Sequence, residues 1–199
     1  PPPPPQPPQF FTDTATTDIY TLSLHDALPI CHFGLVSMSW SRLGAKVTAV
    51  DFSDEAIKTA QQIKSEVGLD TAFVCSNVYE LKDVLKEQFD IVFTSYGVVG
   101  WLPDLNRWAD IISHFIKQRG VFYMAEFHPF VWMLDDDFRK IHYSYFNPGG
   151  IEFDGEGTYA VKDADIKFKE YSWNHSISEV ENALIDHGFE IEFMNEFDY

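Results

Sequence analysis

The residue best placed to bind a ligand is an acidic one that stands directly after a short apolar run. Residues 46–50 read Lys-Val-Thr-Ala-Val, Asp51 follows them, and Ser53 is placed to cap a helix. Ligands of open α/β sheets bind beyond the carboxyl ends of the strands, where an acidic residue can accept hydrogen bonds from ribose hydroxyls. Asp51 therefore predicts a binding site for a nucleotide-like ligand.

A second group of titratable residues follows another apolar run, in the segment Ala-Glu-Phe-His-Pro. Glu126 and His128 are the catalytic candidates there, because a histidine can accept a proton from a hydroxyl or an amine near neutral pH. A histidine that only hydrogen-bonds a neighbouring loop is the open alternative for His128. His175, in Trp-Asn-His, is the third candidate, and a tryptophan that anchors the sheet edge is the alternative for that cluster.

Charge and cysteine usage narrow the class of partner and the compartment. The 199 residues carry a formal net charge of −17, which disfavours nucleic acid and anionic membranes and leaves small molecules or proteins as partners. The two cysteines have no paired spacing, which favours a reduced, cytoplasmic protein. Three consecutive acids at 135–137 are typical of a solvated turn, so we expect no metal site there.

The first thirty residues differ in kind from the rest of the chain. Residues 1–9 are nearly all proline, and residues 12–30 closely resemble the conceptual translation of a sequencing adapter. We therefore expect a non-native or disordered leader over 1–30 and one domain over 31–199, whose first strand is missing or replaced. An inactive truncated fragment is one alternative, because the strands next to a missing one would leave backbone groups unpaired.

The elements that must position the candidate residues alternate between strands and helices. The predicted strands are 46–50, 72–75, 89–95 and 121–127, and the predicted helices are 35–43, 53–67, 104–119 and 176–187. This alternation predicts an α/β fold with a Rossmann-like, doubly wound and mostly parallel sheet. Period-two patterns in 166–168 and 189–193 predict a C-terminal antiparallel hairpin, and residues 128–160 predict a lid or substrate-recognition insertion.

The order of these elements resembles that of the class I S-adenosylmethionine-dependent methyltransferases, over residues 31–199. The loops that carry the resemblance are Cys31-His32-Phe33-Gly34, Asp51-Phe52-Ser53, Ser76-Asn77-Val78 and Thr94-Ser95-Tyr96-Gly97. The resemblance implies S-adenosylmethionine as the cofactor, bound by Cys31, Gly34, Asp51, Phe52, Ser53, Asn77, Val78, Ser95 and Tyr96. His32 departs from the pattern because many members have glycine at that position.

The resemblance also implies roles for individual side chains. Asp51 would accept hydrogen bonds from both ribose hydroxyls, Phe52 would pack on the adenine, and Asn77 would accept from the adenine amino group. Gly34 would let the backbone approach the ligand closely. Residues 94–97 would line the floor under the methionine part.

The function implied is methyl transfer from S-adenosylmethionine to a small-molecule acceptor that the sequence does not identify. This reaction is an in-line displacement that needs neither a metal nor a protein nucleophile, so weak catalytic signals are expected. A nicotinamide-dependent oxidoreductase is the less favoured alternative, since the chain lacks G-x-G-x-x-G and a Tyr-x-x-x-Lys pair.

Overall fold

Five parallel strands form the central sheet in a computed structural model of the chain. The structure describes residues 25–29, 31–135, 137–147, 149–156 and 167–197. The strands are β1 (His25–Pro29), β2 (Lys46–Asp51), β3 (Ala72–Cys75), β4 (Phe89–Thr94) and β5 (Ile116–Met124). Their order is β3-β2-β1-β4-β5, so the chain reverses its direction of winding next to β1. Ligands of such sheets bind at this reversal, beyond the carboxyl ends of the strands.

The centre of the sheet is occupied by residues that lie within the predicted leader. Ala27 of β1 pairs with Thr48 of β2 on one side and with Val92 of β4 on the other. A strand therefore lies between β2 and β4, and the expected loss of pairing at that position does not occur. The structural reason for an inactive fragment therefore falls away. Residues 1–24 and 30 lie outside the described residues.

Five α-helices connect or follow the strands of the described chain. They are α1 (Leu35–Arg42), α2 (Asp54–Val67), α3 (Leu81–Val84), α4 (Leu105–Phe115) and α5 (Ile177–Asp186). The predicted caps are confirmed, because Ser53 accepts from the Ala56 N–H and Asp104 accepts from the Arg107 N–H. Ser176 forms a reciprocal capping box with Glu179 at the start of α5. Short 3₁₀ turns span Val78–Glu80, Val99–Trp101 and Val131–Met133.

The main hydrophobic core lies between the sheet, α4 and α5. Trp108 of α4 is fully buried, and its ring meets Phe122 of β5 edge to face at 5.6 Å between centroids. Ala183 and Leu184 of α5 belong to the same cluster. The apolar spacing of α4 and α5 therefore positions both helices against the sheet.

Strand β5 begins earlier than the sequence predicts. Helix α4 ends at Phe115 and the strand starts at Ile116, although Gly120 was expected to end the helix. Gly120 lies inside the strand instead, where a Cβ atom would stand 2.9 Å from the Asp90 carbonyl oxygen. A close backbone approach, and not a helix end, explains this glycine.

The predicted C-terminal antiparallel pair is present, and of the two predicted segments only 166–168 overlaps one of its strands. Strands β6 (Ile151–Glu156) and β7 (Lys167–Ser172) form a separate two-stranded sheet. Residues 189–193 are not a strand, and Phe189 and Phe193 pack against β5 at 5.9 and 6.3 Å between ring centroids. The period-two pattern of residues 189–193 indicated an extended segment with one apolar face, but it did not indicate what that face packs against. None of the helices in the described ranges has the length and apolar character needed to span a bilayer.

Candidate functional site

The predicted acidic residue is the point where three loops meet at the carboxyl end of the sheet. Asp51 is buried, its Oδ2 accepts from the His32 backbone N–H at 2.8 Å, and its Oδ1 accepts from the Ser53 N–H at 2.9 Å. Its backbone oxygen accepts from the Ser76 N–H at 2.8 Å. The structure therefore brings together residues from the first three predicted loops. His32 is 19 positions from Asp51 along the chain, and Ser76 is 25 positions from it.

The loop after β1 combines a strained residue with a protonated thiol. His32 has a φ of 50°, in the left-handed region that glycine adopts without strain. Burial, with a smaller contribution from the nearby Asp51 charge, raises the pKa of Cys31 to about 12. The Cys31 thiol is therefore protonated at neutral pH and is not a nucleophile.

Gly34 is needed for packing as well as for its backbone conformation. Its φ is 72°, and a Cβ atom on it would stand 2.4 Å from the Phe73 ring of β3. The prediction from the sequence is that Gly34 lets the backbone approach a ligand closely. In the structure it lets the start of α1 pack against β3.

The remaining predicted cofactor residues differ in what their side chains touch. Phe52 is 69% exposed beside Asp51, so its ring is accessible to a ligand. Asn77 uses its Oδ1 to accept the Tyr79 N–H at 3.0 Å, which caps a 3₁₀ turn. Val78 points into the main core, so only its backbone is placed to face a ligand. A carbonyl oxygen has two lone pairs, so Asn77 can still accept a second hydrogen bond.

Glu126 joins the loops that follow β4 and β5. Its Oε2 accepts from the Gly97 N–H at 2.6 Å and from the Val98 N–H at 3.4 Å. Its Oε1 is buried and has no hydrogen-bond partner among the described residues. Burial raises the pKa of Glu126 to about 7, although the loop N–H groups act in the opposite direction. The carboxyl group thus holds the loop after β4 and titrates near neutral pH.

His128 has a partner for each ring nitrogen. Its Nδ1 accepts from the Phe130 N–H at 3.1 Å, and its Nε2 lies 2.8 Å from the Glu196 Oε1. With the proton on Nε2, neither nitrogen is free to accept a proton from an acceptor molecule. These contacts match the alternative of a histidine that hydrogen-bonds its surroundings.

His175 is a buried structural histidine, in contrast to its predicted catalytic role. Its Nε2 donates to the Leu102 carbonyl at 2.7 Å, the residue is 7% exposed, and burial lowers its pKa. The neutral ring therefore holds the segment after the turn Val99–Trp101. The side chain is used for contacts between loops, and the catalytic role of His175 stays a prediction.

Asn174 belongs to the predicted Trp-Asn-His cluster, and it connects the start of α5 to the predicted lid. Its Nδ2 donates to the Trp132 carbonyl at 3.1 Å and to the Ser144 carbonyl at 2.7 Å. Beside it, the Trp173 indole packs against Gly150, where a Cβ atom would stand 3.2 Å away. A polar residue just before a capped helix was the available signal, but the sequence did not indicate its partners.

The predicted acidic turn is partly described. The Asp135 carboxylate accepts from the Arg139 N–H at 2.8 Å and from the Lys140 N–H at 3.2 Å. Asp136 lies outside the described residues. The Asp135 side chain therefore closes a turn in the segment predicted to be a lid.

Comparison with known proteins gives a family model that matches part of the chain, and several relatives of the same part. Residues 30–124 match the family described as methyltransferase domain. The ubiquinone biosynthesis O-methyltransferase of Caulobacter vibrioides is 32% identical over 95 residues, which cover 48% of this chain and 37% of that protein. The protein of the same name from Xanthomonas euvesicatoria pv. vesicatoria is 30% identical over 95 residues, or 39% of its length. The chain thus spans less than two fifths of these curated relatives.

Solved structures show the fold of the larger part of the chain. A S-adenosylmethionine-dependent methyltransferase from Clostridium acetobutylicum superposes with a TM-score of 0.63 at 17% identity, covering 87% of this chain and 76% of that one. Another from Mesorhizobium loti gives a TM-score of 0.62 at 18% identity, covering 88% and 78%. The predicted Rossmann-like α/β fold is confirmed. Residues 30–124 are thus similar to a methyltransferase domain, and the chain has the fold of S-adenosylmethionine-dependent methyltransferases of known structure.

Proposed function

We propose that this chain transfers a methyl group from S-adenosylmethionine to a small-molecule acceptor. The observation that carries the proposal is the buried Asp51 carboxylate, held by two backbone N–H groups where the loops after β1, β2 and β3 meet. This arrangement lies within the methyltransferase domain of residues 30–124. The relatives cover only part of the chain, so the acceptor is inferred from this chain's own residues.

The residues around Asp51 fit the chemistry of the cofactor. A carboxylate only accepts hydrogen bonds, and each of its oxygens can accept more than one, so Asp51 matches a pair of ribose hydroxyl donors. The exposed Phe52 ring beside it offers a face for an adenine. When bound, the cofactor supplies an electrophilic methyl group on a sulfonium.

The remaining residues of the site hold other groups in position and do not themselves react. Glu126 holds residues 97 and 98, and His128 is tied to Glu196 and Phe130. We propose that both act as positioning residues for the acceptor. The rate then comes from holding the acceptor in line with the methyl group, and not from a dedicated base.

No observation favours the alternatives over this function. β1 completes the sheet, so a fragment that fails to fold is not needed to explain the chain. Both cysteines are free, which agrees with the prediction of a reduced, cytoplasmic protein.

Isothermal titration of the full chain tests the proposal directly. We expect S-adenosylhomocysteine to bind with a dissociation constant in the range of about 1 μM to 1 mM, the range usual for enzyme substrates. NAD is the matched control, because it also carries ribose hydroxyls and an adenine. Absence of S-adenosylhomocysteine binding would overturn the proposal, and tighter binding of NAD would favour the oxidoreductase.

A further inference from the structure

Three exposed aromatic rings form a row at the carboxyl ends of β4 and β5. The rings of Tyr96 and Phe127 are 5.6 Å apart between centroids, and those of Phe127 and Trp132 are 5.7 Å apart. The residues are 53%, 47% and 40% exposed, respectively. We call Tyr96, Phe127 and Trp132 the aromatic row. Its members contact each other while leaving about half of their surface open.

Two polar side chains, Glu126 and Asn174, hold the row in place. Glu126 accepts a hydrogen bond from the N–H of Gly97, the residue after Tyr96, at 2.6 Å. Gly97 also lies beside the Phe127 ring, because a Cβ atom added to it would stand 3.9 Å from that ring. Asn174 donates to the Trp132 carbonyl at 3.1 Å. A chance cluster of exposed rings would not require two polar side chains to fix its spacing. The row is therefore a built surface.

The position of the row favours a ligand over packing alone. It lies beyond the strand ends, where ligands of open α/β sheets bind. Strand β4 neighbours β1, whose loop donates to Asp51. An acceptor on the row would therefore lie on the same edge of the sheet as the proposed cofactor.

We propose that the aromatic row is the acceptor subsite and that it takes a planar aromatic molecule with an uncharged hydroxyl or amine; this inference rests on the proposed function. Tilted and perpendicular rings offer both faces and edges, which suit a flat aromatic partner. The carboxyl groups of Glu126 and Glu196 on this side, and the net charge of −17, disfavour an anionic acceptor.

The reaction balances without any further reactant. The acceptor oxygen or nitrogen forms a bond to the methyl carbon as the carbon–sulfur bond breaks. The bonding electron pair stays on sulfur, and the proton of the acceptor group passes to water.

The test compares two probes of the same carbon skeleton, 2-naphthol and decahydro-2-naphthol, by equilibrium dialysis against the full chain saturated with S-adenosylhomocysteine. We expect 2-naphthol to bind about threefold to tenfold more tightly than its saturated analogue, the advantage usual for one aromatic pair. Phe127→Leu keeps the apolar volume and should remove this preference. Phe138→Leu is the matched control, because Phe138 is 65% exposed and lies outside the row.

Each outcome bears on the proposal. Equal affinities for the two probes, or a preference that survives in Phe127→Leu and in Trp132→Leu, would overturn it while leaving the proposed function intact. Trp132→Leu also keeps the test decisive if Phe127→Leu does not fold. If S-adenosylhomocysteine itself does not bind the wild type, the proposed function fails and this inference fails with it.

Discussion

Two regions of the same sheet edge are built in different ways. The Asp51 region, residues 31–34, 51–53 and 75–78, is held by backbone N–H groups that donate to the carboxylate and to the backbone carbonyl of Asp51. The Glu126 region, residues 94–102, 125–135 and 173–175, is held by side chains that reach other loops. The partners there are 29 residues apart for Glu126 and Gly97, and 73 apart for His175 and Leu102.

The difference shows what fixes the loop positions in each region. Adjacent strand ends in a parallel sheet are fixed by the ladder, so a single carboxylate suffices to organise the Asp51 region. The loops of the Glu126 region extend beyond the ladder and need their own cross-links. We therefore expect the first region to govern cofactor binding and the second to govern the acceptor.

Removing the central carboxylate should give the largest effect. Asp51→Ala should weaken S-adenosylhomocysteine binding by about a hundredfold or more, because hydrogen bonds to a charged group contribute about 1.5–3 kcal/mol each. It should also lower the free energy of unfolding by about 1–3 kcal/mol, since it leaves the His32 and Ser53 N–H groups unpaired. Titration calorimetry and chemical denaturation measure the two effects.

Asp51→Asn separates binding from stability, because it keeps one acceptor oxygen for the backbone. Asp54→Ala is the control for charge, since Asp54 is an exposed acid at the start of α2. Unchanged cofactor affinity in both Asp51 variants would contradict the role of the Asp51 region.

Asn174→Asp should loosen the Glu126 region and spare the Asp51 region. The variant loses both donated hydrogen bonds and places a negative charge against the Trp132 and Ser144 carbonyls, at a cost of about 3 kcal/mol. Hydrogen exchange should increase over residues 131–147, while S-adenosylhomocysteine affinity stays the same. Asn106→Asp, the same change at an exposed position of α4, is the control and should leave hydrogen exchange unaltered. A loss of cofactor affinity in Asn174→Asp would break the proposed division.

Glu126→Gln should change how stability depends on pH. The pKa of Glu126 in the folded chain is about 7, above its ordinary value of 4.5, so the folded state binds the extra proton. The stabilisation is therefore complete below pH 4.5 and is lost as the pH rises through about 7. The difference in unfolding free energy between wild type and Glu126→Gln should fall by about 3 kcal/mol across this window.

Chemical denaturation at several pH values measures this difference. Glu87→Gln, at an exposed position, is the matched control. A difference between wild type and Glu126→Gln that stays constant from pH 4.5 to 7 would show that the carboxyl group is not buried as described.

His32→Gly should give the smallest effect, a gain in unfolding free energy of up to about 1 kcal/mol. Left-handed backbone costs a non-glycine residue about 1–2 kcal/mol, partly offset by the greater freedom of glycine in the unfolded chain. His32→Ala keeps the strain and should show no such gain. If both variants behave alike, the strain is absent and the loop after β1 is not poised as described.

Local signals predicted the Asp51 region well. An apolar run, an acid and a serine cap follow one another within eight residues, and the structure confirms the strand Lys46–Asp51 and the capped helix Asp54–Val67. Hydrogen bonds of caps and helices join residues a few positions apart, so their signals survive in the sequence alone.

Strand β1 escaped prediction for an equally physical reason. His25–Pro29 has little apolar character and ends in proline, yet it pairs with β2 and β4. Backbone groups make the ladder, so a short segment of weak propensity can fill a position that its neighbours define. Residues 189–193 were wrongly predicted to be a strand of the hairpin, because an alternating pattern does not determine which segment pairs with it.

Within the Glu126 region, the sequence by itself determined that Glu126 and His128 follow a strand and that Ser176 begins a helix. Only the tertiary structure decided that Glu126 holds the loop after β4, that His175 is buried against Leu102, and that Asn174 donates to the carbonyls of Trp132 and Ser144. These contacts join residues 29 to 73 positions apart, and their geometry depends on how whole elements pack. The position of the Asp51 carboxylate at a strand end could be predicted from its neighbours in sequence, whereas the aromatic row exists only because the loop of Tyr96 is brought beside the segment that carries Phe127 and Trp132.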